Sequence, residues 1–328
     1  MSTLGLTIPL GMPLHAHREV VADLPGLGYT DVWSAEAGGA DAFTPLALAA
    51  AWAPTLRLGT AIVPAFTRGA ATIAQSAAAL ADAAPGRVAI GIGTSSDVIV
   101  QRWNGIPFER PYQRVRDVVR FLREALTGAK ISTTYDTFTV DGFRLLQVPE
   151  IPPKLLVAAL RPGMLRLAGR EADGAILNWL AVEDVPSVTR FVHEGGPDKE
   201  IVARLFVCPL ADPSVARAVA RVAIAAYLTV PVYRAFHEWL GRAEQLAPLW
   251  RLWGEGDRKA AAASIPDEVV DALVVHGTPE QCRAHIQRYV DSGVTTPVVA
   301  LLPVPGQTSA DVIAQVRSLA PRTQLTAT

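Results

Sequence analysis

Four stretches of this sequence combine residue types and spacings that could carry chemistry. The first is Gly91-Ile92-Gly93-Thr94-Ser95-Ser96, directly after the apolar run Val88-Ala89-Ile90. Glycines let a flat ring or a phosphate approach the backbone closely, and three hydroxyls with their amides can hold a polar edge. A dinucleotide, a nucleoside triphosphate, a flavin-like ring and a purely structural turn are the alternatives. The dinucleotide fingerprint is incomplete, because the third glycine is Ser96 and Glu109 lies in a Pro-rich loop rather than at a strand end. A triphosphate loop is excluded, since no Gly-Lys-Ser/Thr follows. Asp97 reads as a helix N-cap whose charge disfavours a phosphate beside it.

The second stretch is Leu160-Arg161-Pro162-Gly163-Met164, after the apolar run 155–159. Proline suits the first position of a helix, so the next free amides, on Gly163 and Met164, point outward beside Arg161 as a phosphate site. The third is Asn178-Trp179, at the end of the next apolar run, with Trp179 placed as a pocket wall. The fourth is Glu36, flanked by Ala35 and Ala37. A carboxylate in an apolar setting can act as a proton donor, and an exposed loop acid is the plain alternative. His15 and His17 either face the same site or start a helix. The histidines show no metal-ligand spacing, so no metal is expected.

These groups need elements that bring them together. Short strand-like runs fall at 4–8, 31–34, 56–63, 88–92, 155–159, 174–177, 201–207 and 297–302. Helical runs fall at 17–24, 45–53, 72–83, 112–126, 162–170, 214–228 and 280–292. Alternation of this kind predicts a closed parallel (β/α)8 TIM barrel with insertions. Several strands are apolar throughout, as in a sheet buried on both faces. In such a barrel the loops after the strands share one face, and all four stretches lie there. A hairpin insertion is expected at 131–149, around Asp141-Gly142. A helical insertion at 227–263 carries Tyr227, Tyr233, Phe236, Trp239, Trp250 and Trp253. It reads either as extra core or as a wall over a substrate pocket.

With 328 residues, half of them hydrophobic and 19% charged, the chain can bury a large core. A net charge of −1 argues against nucleic acid as a partner. The most apolar windows are broken by proline or arginine, so no membrane span is expected. Cys208 and Cys282 are far apart and read as reduced thiols of a cytoplasmic protein.

The stretches LRLGTAIVPAFTRGAATIAQSAAALADAAPGRVAIGIGTSS, WNGIPFERPYQRVRDVVRFLREAL, VAALRPGMLRLAGREADGAILN and VHGTPEQCRAHIQRYVDSGV resemble the luciferase-like monooxygenase superfamily, in its deazaflavin (coenzyme F420)-dependent branch. The resemblance runs over nearly the whole chain. It implies a homodimeric TIM barrel and a cis peptide at Ala61-Ile62 behind the cofactor ring. It also implies cofactor contacts from Thr94, Ser95, Ser96, Ala158, Ala159, Leu160, Gly163 and Met164; the residues themselves add Gly93 at the ring and Arg161, Arg102 and Arg110 as candidates for the anionic tail. FMN enzymes share the fold, which keeps FMN as the alternative cofactor. Related sugar-phosphate dehydrogenases carry an acid where Ser96 stands and a histidine where Glu36 stands, so glucose-6-phosphate oxidation is not expected.

The expectation is therefore an F420-dependent oxidoreductase acting on a small-molecule substrate, with Glu36 handling the proton and Asn178 and Trp179 lining the substrate pocket. The rivals are an FMN-dependent monooxygenase, a non-catalytic cofactor-binding protein and a nicotinamide dehydrogenase.

Overall fold

A computed structural model of the chain describes residues 3–321. Eight parallel strands form the barrel: Gly5–Thr7, Asp31–Ser34, Arg57–Pro64, Val88–Gly93, Lys154–Ala158, Gly174–Asn178, Glu200–Cys208 and Thr296–Leu301. They are called the first to eighth strands below. Each pairs with its neighbour in order, and the eighth pairs back to the first through Val298 and Gly5, which closes the barrel. Every sequence-predicted strand begins and ends within one residue of an observed one; the first is trimmed at both ends to Gly5–Thr7 and the seventh extended at both ends to Glu200–Cys208.

Helices cover the outside because their apolar stripes match the barrel's outer face. On Pro111–Ala125 the buried residues Val115, Val118, Val119 and Leu122 recur at helical spacing. Two helices not expected from the sequence, Val185–His193 and Ser309–Ser318, complete the layer. Among the described residues, no single helix is long and apolar enough to cross a membrane.

The barrel axis is filled by Trp33, Ala89, Leu156, Ile176, Val202 and Val298. Trp33 sets the packing. A Cβ at Gly59 would lie 2.2 Å from its ring, and one at Gly5 would lie 2.9 Å from it. The indole occupies volume that these glycines vacate. Nearer the strands' C-terminal ends, the residues packed on this cluster are two alanines, Ala61 and Ala158, with Ile62, all only partly buried. The packed axis therefore ends in a shallow, small-residue floor.

The opposite end is closed by charge. Arg57 donates two hydrogen bonds to the buried Glu200, at 2.5 and 2.9 Å. Lys154 and Thr296 add contacts at 3.2 and 2.9 Å. A depression of about 640 Å³ lies here, but its ions are already paired, and the N-terminal end of such a barrel serves stability.

Between the helix Pro111–Ala125 and the fifth strand, Ile131–Thr134 and Thr139–Phe143 pair as an antiparallel hairpin. Its turn falls at 135–138 and not at Asp141-Gly142. The Asp-Gly pair instead lies within the second hairpin strand, opposite a register shift, with Gly142 at φ +69°. Glycine is used there for the left-handed backbone of a bulge.

Candidate functional site

The mouth of the barrel is built from the C-terminal ends of these strands and the loops that follow. In the third strand the register shifts between Thr60 and Val63, and the Ala61–Ile62 peptide is cis, as the resemblance implies. The bulge faces Gly93 on the neighbouring fourth strand. A Cβ at Gly93 would stand 3.0 Å from Ile62 and 3.1 Å from Ala158, so glycine keeps the floor open.

The fourth and fifth strands are hydrogen-bonded neighbours, so the loops 94–96 and 159–164 leave the barrel side by side. Ser95 sits at φ +61°, a region unfavourable for a residue with a Cβ. The Thr94 hydroxyl donates to the Ser95 carbonyl at 3.1 Å, and the Ser96 hydroxyl accepts from the Ile99 N–H at 3.3 Å. The Ser95 hydroxyl has no partner among the described residues. Ser96 is thus the cap of the segment Val98–Trp103. Asp97, expected as the cap, makes no capping bond and pairs with Arg102 at 3.2 Å.

Arg161 precedes the helix Pro162–Glu171 with no side-chain cap. Pro162 has no N–H, so the amides of Gly163 and Met164 are the first free donors, at the positive end of the helix. Gly163 is exposed, with open space around it. Ala158 and Leu160 are partly exposed, but Ala159 is buried and its N–H is taken by the Ile176 carbonyl at 3.1 Å. Arg110 is engaged elsewhere, donating to the Asp136 carbonyl of the hairpin at 2.8 Å.

Glu36 follows the second strand, but its surroundings are not the apolar ones expected. Arg68 Nε lies 3.2 and 2.9 Å from its two carboxylate oxygens. Thr67 Oγ1 and the Ala42 N–H add bonds at 3.3 Å each. Its own N–H donates to the Ile62 carbonyl at 3.1 Å. Glu36 therefore joins its loop to the bulge, and its oxygens are engaged in holding that loop.

His17 is also structural. It is buried, with Nε2 2.8 Å from the Leu10 nitrogen and Nδ1 3.1 Å from the Pro13 carbonyl. Burial pushes its pKa below the usual histidine value, which keeps the ring neutral as a strut for the loop after the first strand.

Across the mouth stands an aromatic wall. Trp179 is buried at φ +52° and stacks on Phe206 at 4.0 Å between centroids. Tyr227 packs on Trp179 at 5.0 Å and meets Tyr233 edge-on at 5.7 Å. The Asn178 amide donates to Tyr233 Oη at 3.0 Å. Burial pushes the Tyr233 phenol up to about 12, so it keeps its proton at neutral pH. Of the expected pocket residues, Asn178 is partly exposed, whereas Trp179 lies behind it as support. The loop is pinned by Asp184, which accepts from the Ala181 N–H at 2.8 Å and pairs with Arg242 at 2.9 Å.

Sequence reasoning missed Arg204. It lies between Val202 and Phe206 on the same inward face of the seventh strand, in register with Asn178. The signal was present, as a single charge inside the apolar run 201–208.

The family model described as luciferase-like monooxygenase matches residues 2–296. A Mycobacterium tuberculosis chain named as a coenzyme F420-dependent oxidoreductase is 27% identical over 325 residues, covering 88% of this chain and 91% of its own length. The coenzyme F420-dependent tetrahydromethanopterin reductase from Methanopyrus kandleri superposes with a TM-score of 0.79 at 19% identity, covering 96% of each chain. The oxygenating constituent of 3,6-diketocamphane monooxygenase from Pseudomonas putida, solved with FMN, gives 0.68 at 14% identity over 97% of each chain. At these identities the solved structures bear on the fold alone.

Proposed function

The chain belongs to the luciferase-like monooxygenase family, and from that footing we propose that it is a deazaflavin (coenzyme F420)-dependent oxidoreductase that passes hydride between the cofactor and a small organic substrate. The observation that carries this reading is a side-chain-poor floor at Ala61, Ile62, Gly93 and Ala158 beside two loops with free donors. The resemblance of the Mycobacterium tuberculosis chain favours the deazaflavin over FMN.

The residues present fit such a group. A Cβ at Gly93 would narrow the floor, and Ser95, Gly163 and Met164 hold donors that no described residue uses. When bound, the deazaflavin supplies two-electron hydride chemistry. The chain's part is to place and shield it. Ala61, Ile62 and Ala158 offer a flat apolar support, and Thr94, Ser95, Ser96, Gly163 and Met164 take polar edges or the tail phosphate. Arg161, exposed at the rim, adds charge there. The wall of Tyr227, Tyr233 and Phe206 limits the substrate and keeps water out. Tyr233 holds its proton at Oη and directs Asn178. Glu36 acts through the bulge it joins rather than at a reacting atom.

A Gly163→Asp variant tests the phosphate site. An acidic residue in a first helical turn favours the helix but repels a phosphate at the same amides. The variant is expected to melt no lower than the parent and to bind the deazaflavin at least tenfold more weakly in a fluorescence titration. Unchanged affinity would place the tail elsewhere.

A further inference from the structure

Arg204 is a charged side chain with no ion-pair partner among the described residues. Val202, two residues before it, packs in the barrel axis, and strand alternation sets Arg204 and Phe206 on that same face, towards the barrel mouth. Its Nε is buried with no hydrogen-bond partner, and the guanidinium forms no ion pair with any described residue. Its guanidinium lies over the Phe206 ring, 5.0 Å from Cζ, and its charge acts on the neighbouring Tyr233 phenol. A buried guanidinium N–H without a partner costs free energy, and the aromatic contact offsets only part of that cost. The remainder is recovered when an anionic oxygen arrives.

Topology indicates which molecule brings that oxygen. In an eight-stranded barrel the seventh strand stands opposite the third, four strands away in either direction. The third strand carries the Ala61–Ile62 support, and the donors for a phosphate lie on the loops after the fourth and fifth strands. Arg204 therefore faces the open side, where a substrate enters, within the wall of Phe206, Tyr227 and Tyr233. A planar guanidinium matches a carboxylate through two parallel hydrogen bonds, and the flanking rings suit a flat carbon skeleton.

We propose that Arg204 is the substrate-anchoring residue of this mouth and that the substrate class is small planar organic acids, held by their carboxylate. The assignment of the open side to substrate rests on the deazaflavin reading. Anion binding by Arg204 does not.

The test uses calorimetry on the purified full chain with three pairs of probes: acetate and acetamide, benzoate and benzamide, cinnamate and cinnamide. Wild type is expected to bind at least one aromatic acid tenfold or more tighter than its amide. Arg204→Met is expected to abolish that preference, and Arg204→Lys to keep part of it, with melting temperatures recorded for all three proteins. Deazaflavin titrations of wild type and Arg204→Met are expected to agree within threefold. No acid-over-amide preference in any pair, or a preference that survives Arg204→Met, would overturn the proposal. A tenfold loss of deazaflavin affinity in Arg204→Met would also overturn it, by giving the guanidinium to the cofactor. If wild type binds aromatic acids but no deazaflavin, the cofactor reading fails while the anion site stands.

Discussion

At the scale of the residue, the mouth is organised by side chains whose partners lie far away in sequence. Glu36 drew attention by its position after a strand, and that placement was legible. Arg68, 32 residues later, was not, because nothing local ties the two together. The pair is partly exposed, at 24% and 17%, so its direct worth is small, about 1 kcal/mol or less. Its effect falls instead on the bulge, through the Glu36 N–H on the Ile62 carbonyl. Glu36→Gln is expected to lower urea stability by no more than about 1 kcal/mol while weakening deazaflavin binding several-fold. Wild-type affinity in that variant would show that the bulge does not depend on the pair. Arg204 was equally readable as a lone charge in an apolar strand, but only the inward register gives that charge a meaning.

At the scale of the element, strands were legible to within a residue or two because short apolar runs bounded by turns have few other interpretations. The hairpin turn was misplaced for a physical reason. Asp-Gly is a strong hairpin signal because glycine permits positive φ, yet a bulge has the same requirement, and Gly142 serves the bulge. Which glycines make room for a neighbour was also hidden, since Trp33 and Gly59 meet only once the second and third strands pair. A Cβ at Gly59 would fall 2.2 to 2.5 Å from the Trp33 ring. Gly59→Ala is therefore expected to cost roughly 1–3 kcal/mol or more by overpacking. Urea denaturation reads this directly, and a stability equal to wild type would contradict the packing described for the barrel axis.

At the scale of the whole molecule, the two barrel ends divide the work. The N-terminal end pairs its charges. Burial alone would raise the Glu200 carboxyl, but the Arg57 hydrogen bonds and charge bring it below its usual range. The C-terminal end leaves donors free. Below neutral pH, buried histidines are expected to make stability depend on pH. Burial, and then the Arg242 charge, push His237 down to about 3, and burial lowers His17 as well. Both are neutral in the folded chain, whereas the unfolded chain takes up their protons near pH 6.5. Their stabilising effect is complete above that pH and is lost as pH falls below it, for His237 down to about 3. His237 contributes a slope of up to about 1.4 kcal/mol per pH unit in that window, and His17 acts in the same direction. Urea midpoints are expected to fall from pH 7 to pH 5 in wild type and to fall less in His237→Met. Equal slopes in the two proteins would remove His237 from the account.

The central claim is that the small-residue floor and the two donor loops form a deazaflavin site. Parallel fluorescence titrations of the purified chain with coenzyme F420 and with FMN test it most directly. The deazaflavin is expected to bind at micromolar affinity or tighter, with FMN at least tenfold weaker. Preference for FMN, or no binding of either, would contradict it.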